Sequence, residues 1–261
     1  MLLEGKSAVV YGAGGAIGGA VAKAFAAEGA RVALTGPHVE SLETVSAEIS
    51  RDGGQADVAA VDAYDEEAVE EHMKQLVDDT GRVDISFNAV GLGYVIGEPL
   101  TGASSDDFVT SVDKAMRTQF ATAIAAGRRM AAAGSGVILT ITASPARLTS
   151  PNQGSLGVVG AAIEALCRQL AADLGPQGVR VVCLRSAGSP DAPGVEYAMT
   201  RHAEQAGISR RAFEDQWAEQ TLLKRLPRLA EVGAAAALMA SDQASAITAA
   251  VTNVTCGVVM D

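Results

Sequence analysis

Short apolar segments alternate with longer segments of helical periodicity along the whole chain. The apolar segments have the length of β-strands, and the segments between them are long enough for helices of ten or more residues. The predicted strands are Ser7–Tyr11, Arg31–Thr35, Ala56–Val61, Val83–Phe87, Gly136–Thr142, Val179–Leu184 and Ala250–Thr255. The predicted helices are Ala16–Glu28, Glu40–Arg51, Glu66–Thr80, Asp106–Ala133, Leu156–Leu174 and Ala230–Ala240.

This alternation predicts an α/β fold built on a doubly wound parallel sheet. Most of the strands are apolar throughout, as expected when helices cover both faces of a sheet. Right-handed crossovers then wind the chain in both directions from the first strand. No internal repeat or linker interrupts the pattern, so residues 1–261 are predicted to form a single domain.

One segment, residues 189–228, breaks the alternation. It contains Pro190 and Pro193, followed by two short polar helical stretches, Tyr197–Gln205 and Arg210–Gln220. A long insertion at the carboxyl edge of such a sheet is typical of a lid over a ligand. The alternative is an arm that docks on another subunit.

Composition narrows the possible partners and compartments. Acidic residues outnumber basic ones by 31 to 20, which argues against a nucleic-acid partner. No apolar run is long enough to span a membrane, and the start, Met1–Lys6, lacks the pattern of a signal peptide. Cys167, Cys183 and Cys256 are far apart without metal-ligand spacing, so we expect free thiols, no metal site and a cytoplasmic location.

A glycine-rich turn, Tyr11–Gly18, follows the first predicted strand and leads into the first predicted helix. Small residues let a pyrophosphate approach the backbone, and the helix N-terminus offers unpaired N–H groups with a partial positive charge. The strict G-x-G-x-x-G pattern is not met, because Ile17 stands at its last glycine. The turn predicts a dinucleotide site; the alternative is a tight α/β turn without a ligand.

The same turn resembles the T-G-x-x-x-G-x-G motif of the short-chain dehydrogenase/reductase family. Gly12, Ile17 and Gly18 match this motif, whereas Tyr11 and Ala16 depart from it. The resemblance continues along the whole chain, in order and at the family's spacing. The further matches are Val61-Asp62, Asp84–Gly91, Ala161–Leu166, Gly178–Val181, Leu238–Asp242 and Asn253–Gly257.

The resemblance implies a Rossmann-type fold, NAD or NADP as cofactor and a small-molecule substrate. It also implies a homotetramer or homodimer formed through the fourth and fifth helices. The implied cofactor-binding residues are Gly12, Ala16, Ile17, Gly18, Pro37, Asp62, Ala63, Asn88 and Gly91.

The catalytic residues of that family are not found at the corresponding positions. The family's Asn, Ser, Tyr and Lys positions fall on Ala115, Ala143, Leu156 and Gly160. The enoyl-reductase branch places its Tyr differently, but that position falls on Gln153, and Gly160 again replaces Lys. A general acid contributes about 10²–10⁴ in rate, so the usual carbonyl-reductase mechanism is not expected.

Three other residues are weak substitutes for the missing groups. Tyr94, Ser144 and Arg185 are predicted near the carboxyl edges of the strands. Tyr94 could donate a proton or be only a lid contact, and Arg185 could clamp an anion or pair with an acid of the lid. Gly157 and Gly160 suggest that a ligand or another helix approaches the fifth helix closely.

The choice between NAD and NADP stays open at this stage. The turn after the second strand, Thr35–His38, carries neither the acid typical of NAD sites nor the Arg typical of NADP sites. His38 could meet a 2′-phosphate when protonated, or it could be a solvated turn residue.

Two functional hypotheses follow. The first is an NAD(P)-dependent oxidoreductase with a rebuilt, non-standard active site. The second is a catalytically inactive nucleotide- or metabolite-binding protein that acts as a sensor or partner subunit.

Overall fold

The computed structural model of the chain describes residues 1–91 and 99–260. The strands are β1 Ser7–Tyr11, β2 Arg31–Gly36, β3 Gln55–Ala60, β4 Ile85–Asn88, β5 Gly136–Ala143, β6 Val179–Ser186 and β7 Ala250–Val254. The helices are α1 Ala16–Ala27, α2 Val39–Arg51, α3 Glu66–Thr80, α4 Ser105–Ala133, α5 Leu156–Leu174, α6 Pro193–Ala206, α7 Arg210–Glu219 and α8 Leu229–Ala240. The strands form one parallel sheet in the order β3-β2-β1-β4-β5-β6-β7. The predicted doubly wound α/β fold is therefore confirmed.

Helices cover both faces of the sheet, because successive strand residues point to opposite sides. In β1, Val10 packs in the cluster under α1, α2 and α8, whereas Val9 and Tyr11 pack in the cluster under α3, α4 and α5. All five residues of β1 are buried. This two-sided burial explains the apolar strands seen in the sequence.

The carboxyl ends of the strands meet along one edge of the sheet. Tyr11 is in register with Thr35 of β2 and with Asn88 of β4. After β1 the chain builds outward through β2 and β3, and then returns to place β4 on the other side of β1. Ligands of doubly wound sheets bind in the crevice at such a switch point.

The insertion after β6 consists mainly of α6 and α7. His202 stacks on Phe213 at a centroid distance of 5.8 Å, and Phe213 meets Trp217 edge-on at 6.1 Å. A Cβ atom built on Gly188 would lie 3.3 Å from the Trp217 ring. The insertion thus packs through Trp217 on the segment that directly follows β6. Helix α6 begins at Pro193, four residues before the predicted start, because proline suits the first turn of a helix.

Three features of the described part of the chain bear on a membrane, a metal and a redox role: its helices, its possible metal ligands and its thiols. No helix there is long and apolar enough to cross a membrane, and no group of three or more His, Cys, Asp or Glu side chains could hold a metal ion. Cys167 and Cys183 are buried and Cys256 is half-buried, and all three are free thiols. Burial raises the pKa of the Cys167 thiol to about 12 and that of Cys183 to about 11.

Candidate functional site

The glycine-rich turn closes tightly over the end of β2. Gly12 has φ +75°, and a Cβ atom on it would lie 2.7 Å from the carbonyl oxygen of Ala89. The backbone N–H groups of Gly12 and Ala13 both donate to the carbonyl oxygen of Thr35, at 2.9 and 3.1 Å. A Cβ atom on Gly18 would collide with the carbonyl oxygen of Gly12. Only glycine fits at Gly12 and Gly18 without a shift of the backbone.

The N-terminus of α1 begins directly after this turn and has no side-chain cap. Gly15 occupies the N-cap position and makes no side-chain hydrogen bond, while Ala16 and Ile17 are half-buried in the first turn. The first backbone N–H groups of a helix lack intrahelical partners and attract anions. A turn of small residues followed by an uncapped helix start suits the pyrophosphate of a dinucleotide, because small side chains let the phosphates approach the backbone N–H groups.

The loops after β2 and β3 lie beside the glycine turn, where the resemblance implies that the adenosine of a dinucleotide binds. Pro37 and Asp62 are exposed, whereas Ala63 is buried. The Val61 N–H donates to the Gly36 carbonyl oxygen at 3.2 Å, which ties the two loops together. The Asp62 carboxylate accepts a bond from the Tyr64 N–H at 3.0 Å, so its position is fixed by the backbone.

Asn88 fixes the loop that follows β4. Its side-chain amide is buried and donates to the Thr118 carbonyl oxygen at 3.1 Å and to the Thr122 hydroxyl at 2.8 Å, both on α4. The side-chain oxygen of Asn88, Oδ1, accepts a hydrogen bond from the Val90 N–H at 2.9 Å. Asn88 therefore joins β4 to α4 and fixes the start of the loop that leads to the exposed Gly91.

The four positions on which the sequence predicts the family's catalytic residues to fall lie on three elements. Ala143 ends β5, Leu156 begins α5, and Gly160 lies one turn further along α5. Ala115 of α4 is buried in a small cluster with Val159 of α5. None of these four side chains can transfer a proton.

Gly157 and Gly160 allow a short 3₁₀ turn, Ser144–Ala146, to pack closely on α5. A Cβ atom on Gly157 would lie 2.8 Å from the Pro145 carbonyl oxygen, and one on Gly160 would lie 2.8 Å from the Ala146 Cβ. The close neighbour is thus the chain's own turn after β5. This corrects the expectation of a ligand or another helix at these glycines.

We expect the Gly160→Ala variant to be less stable than the natural chain. Alanine in place of glycine normally favours a helix by about 1 kcal/mol, but here the added methyl must displace Ala146, and overpacking costs about 1–3 kcal/mol. Chemical denaturation measures the difference. Gly194→Ala, in the first turn of α6 with open space around it, is the control and should not destabilise. A gain in stability from Gly160→Ala would contradict the packing described.

The residues predicted as substitutes for the missing catalytic groups differ in their surroundings. Ser144 is buried, and its hydroxyl donates to the Ser186 carbonyl oxygen at 3.3 Å. Ser155, which sequence reasoning missed, is also buried at the N-cap of α5, and its hydroxyl has no hydrogen-bond partner among the described residues. Ser144 begins the turn that packs on Gly157, and Ser155 directly precedes the first residue of α5. Tyr94 lies outside the described residues.

Arg185 is held in a buried polar network. Its guanidinium binds both carboxylate oxygens of Glu164 at 2.8 Å and the side-chain oxygen of Asn253 at 2.8 Å. Thr142 donates to the same carboxylate at 3.1 Å. The ion pair that the sequence suggested does form, but its acid comes from α5 and not from the insertion. Arg185 thereby joins β6 to α5 and β7 and does not act as an anion clamp in this structure.

Comparison with known proteins shows similarity along almost the whole chain. The family model described as enoyl-(acyl carrier protein) reductase matches residues 12–259. D-threitol dehydrogenase of Mycolicibacterium smegmatis is 31% identical over 184 residues, which are 69% of this chain and 68% of that protein. The 7alpha-hydroxysteroid dehydrogenase of Escherichia coli is 29% identical over 259 residues, or 99% of this chain and 96% of that protein.

Solved structures agree with these sequence matches. The crystal structure of NAD⁺-bound xylitol dehydrogenase superimposes with a TM-score of 0.91 at 26% identity. The match covers 98% of this chain and 100% of the xylitol dehydrogenase chain.

Proposed function

Since the chain belongs to the short-chain dehydrogenase/reductase family, we propose that it is an NAD(P)-dependent oxidoreductase with a rebuilt proton-transfer site. The single observation that supports this most is the glycine turn. Gly12 and Gly18 let the turn pack closely on the loop after β4 and on itself, and the uncapped start of α1 supplies donors for a pyrophosphate. Close contacts within the chain require both glycines, and these contacts hold the turn and the start of α1 in this geometry.

Different residues at the carboxyl edge of the sheet would bind different parts of a dinucleotide. The turn from Gly12 to Gly18, with Ala16 and Ile17, would hold the pyrophosphate. Pro37 and the pair Asp62-Ala63 would border the adenosine, and the loop from Asn88 to Gly91 would lie beneath the cofactor's second half. When bound, the nicotinamide would accept or supply the hydride.

The proton must be handled by groups other than the family's own. We infer that the family's Tyr and Lys positions fall on Leu156 and Gly160, where the Ala146 methyl occupies the space beside the helix. Ser144 and Ser155 offer hydroxyls that can orient a substrate carbonyl or alcohol. Serine is not a usual general acid, so turnover is expected to be slower by about 10²–10⁴ than with a tyrosine in place. Tyr94 stays a candidate proton donor.

The insertion and the oligomer complete the proposal. We place residues 189–228 over the substrate as a lid, anchored by Trp217 on Gly188. We expect a homodimer or homotetramer through α4 and α5, where a groove of about 530 Å³ runs between Phe120 and Leu174, and Phe120 is 50% exposed. Thiols such as Cys167 and Cys183 suit a reducing compartment, which supports a cytoplasmic location.

A turnover assay tests the catalytic part of the proposal. The purified chain is mixed with oxidised cofactor and a panel of polyols, sugar acids and hydroxysteroids, the classes on which the relatives' names centre, and the reduced nicotinamide is followed by absorbance. We expect slow oxidation of at least one class. Ser144→Ala should lower the rate by about tenfold or more, because the reacting oxygen loses a hydroxyl that would turn from the Ser186 carbonyl oxygen to bond it. Tight cofactor binding without turnover of any compound would favour the non-catalytic binder instead.

A further inference from the structure

The segment between β5 and α5 differs in charge from the chain as a whole. Residues 114–163 contain no Asp or Glu, although the chain has 31 acidic residues and a net charge of −11. One cation of this span, Arg147, directly follows the turn Ser144–Ala146, which packs on Gly157 and Gly160. Arg147 is exposed and has no ion-pair partner among the described residues. A positive side chain that these residues leave unpaired therefore starts beside the first turns of α5.

The N-terminus of α5 offers hydrogen-bond donors at the same place. This helix has 19 residues, and its N-cap residue, Ser155, makes no side-chain cap bond. The Leu156 N–H donates to the Gln153 carbonyl oxygen at 3.1 Å, but the N–H groups of Gly157 and Val158 have no acceptor among the described residues. Unpaired N–H groups and the helix dipole attract anions. Because α5 follows β5, these donors lie at the carboxyl edge of the sheet, where ligands of such sheets bind.

The hydroxyl of Ser155 is an independent indication of a ligand at this helix start. Ser155 is 2% exposed, and its Oγ atom has no hydrogen-bond partner among the described residues. Its backbone is already helical, with φ −81° and ψ −9°, and the Cα–Cβ bonds of a helix tilt toward the N-terminus. The hydroxyl is therefore directed past the end of α5. A buried hydroxyl without a partner is costly, and an oxygen atom of a bound anion would accept its hydrogen bond.

The acidic groups that come next along the chain are held by partners of their own. Glu164, the first acid after Ser155, is buried and accepts from the Arg185 guanidinium at 2.8 Å with both oxygens. Asp191, the first acid after β6, accepts from the Leu229 N–H at 3.1 and 3.2 Å. Neither carboxylate caps α5. The charges around this helix start therefore favour an anion over a cation.

We propose that the N-terminus of α5 binds an anionic group of the substrate, a carboxylate or a phosphate. The N–H groups of Gly157 and Val158 and the hydroxyl of Ser155 donate to its oxygens, and Arg147 balances its charge. Ser155 is thereby assigned to the anion, and the reacting carbonyl or alcohol is left to Ser144. The substrate is then a hydroxy or keto compound that carries a carboxylate or a phosphate apart from the reacting carbon. The substrate role rests on the proposed function, whereas the anion site itself needs no cofactor.

Calorimetric titration with three probes of similar size, D-gluconate, sorbitol 6-phosphate and neutral sorbitol, tests the site without turnover. We expect at least one anion to bind about tenfold or more tightly than sorbitol, and the two anions show whether a carboxylate or a phosphate fits better. Each titration is repeated with saturating ADP, because an anion can also bind at the start of α1. Binding that persists in ADP supports the inference. Binding that ADP abolishes would place the anion on the glycine turn and overturn it.

Ser155→Ala separates an anion site from a structural role of this residue. The variant should bind the preferred anion about tenfold or more weakly, since a hydrogen bond to a charged group is lost. Its unfolding midpoint should not fall, because the hydroxyl makes no cap bond that could be lost. Unchanged anion binding by this variant would contradict the site.

Two arginine variants separate the site from the overall charge of the chain. Arg147→Gln should weaken binding of the preferred anion by about threefold or more, because the balancing charge is removed. Arg51→Gln removes an exposed charge from the last turn of α2 and should leave this affinity unchanged. Equal effects of the two variants would contradict a local site.

A separate titration with NADH keeps this inference apart from the proposed function. If NADH binds but the anions bind no more tightly than sorbitol, this inference alone fails. If the anions bind and depend on Ser155, whereas NADH, NADPH and ADP do not bind, the anion site stands and the proposed function fails.

Discussion

Replacing Arg185 by Met is expected to lower the free energy of unfolding by about 3–5 kcal/mol, as is usual when a buried charge loses its partner. The side chains of Arg185 and Glu164 are only 3% and 8% exposed. Removal of the guanidinium leaves the Glu164 carboxylate buried, with the Thr142 hydroxyl as its remaining hydrogen-bond donor among the contacts described above. Urea or guanidinium denaturation of the variant measures the loss.

The double variant Glu164→Leu/Arg185→Met is the test of this explanation. With both charges gone, no ion remains buried, and stability should return most of the way toward that of the natural chain. Arg31→Met breaks the exposed pair with Asp57 and should cost about 1 kcal/mol or less. If the double variant is as unstable as Arg185→Met, the buried charge is not the cause.

Replacing Gly12 by Ala is expected to abolish dinucleotide binding up to millimolar nucleotide. The new Cβ would lie 2.7–2.9 Å from backbone atoms of Ala89 and Val90, so the turn or the loop after β4 must move. A non-glycine residue at φ +75° also costs about 1–2 kcal/mol. Calorimetric titration of the folded variant with NADH measures the effect on binding.

Gly53→Ala is the matched control, because Gly53 has φ +83° but open space around its Cβ position. It carries the same backbone strain without the collision, and it lies at the amino-end side of β3, away from the glycine turn. We expect it to lose stability and keep nucleotide binding. Unchanged binding by Gly12→Ala would show that the turn does not contact the ligand.

The fold was predictable from the sequence because each element carries its own pattern. The helix Glu66–Thr80 begins after an aspartate that caps it and ends at a left-handed glycine, and its predicted bounds are confirmed. The bounds of β4 were less accurate: the strand begins at Ile85 and not at Val83. Asp84 accepts a bond from the Ser7 N–H just before the strand begins, and a side-chain bond of this kind leaves no trace in hydropathy.

The contacts around α5 were not predictable in the same way. Gly157, Gly160 and Glu164 lie at helical spacing, which indicates a shared face but not what packs on it. Their partners, the turn after β5 and Arg185, depend on how β5, β6 and α5 are set against each other in three dimensions. Sequence reasoning therefore recognised close packing and an ion pair, and named the wrong neighbours for both.

The arrangement gives α5 a role distinct from proton transfer. At its N-terminal end the glycines bring the turn after β5 onto the helix, and two turns further Glu164 bonds Arg185 of β6. The helix is thereby fixed to both strands that border the proposed substrate site. A Lys introduced alone at Gly160 would push against Ala146, so this substitution is not expected to create the family's usual site.

The most direct test of the central claim is a fluorescence titration of the natural chain with NADH, followed by displacement with ADP. We expect enhanced nicotinamide emission or quenching of Trp217, with binding in the micromolar range and competition by ADP. Competition places both ligands on the glycine turn. Absence of any signal with NADH and NADPH up to millimolar concentration, together with no heat of binding for ADP, would contradict the claim that this turn holds a dinucleotide.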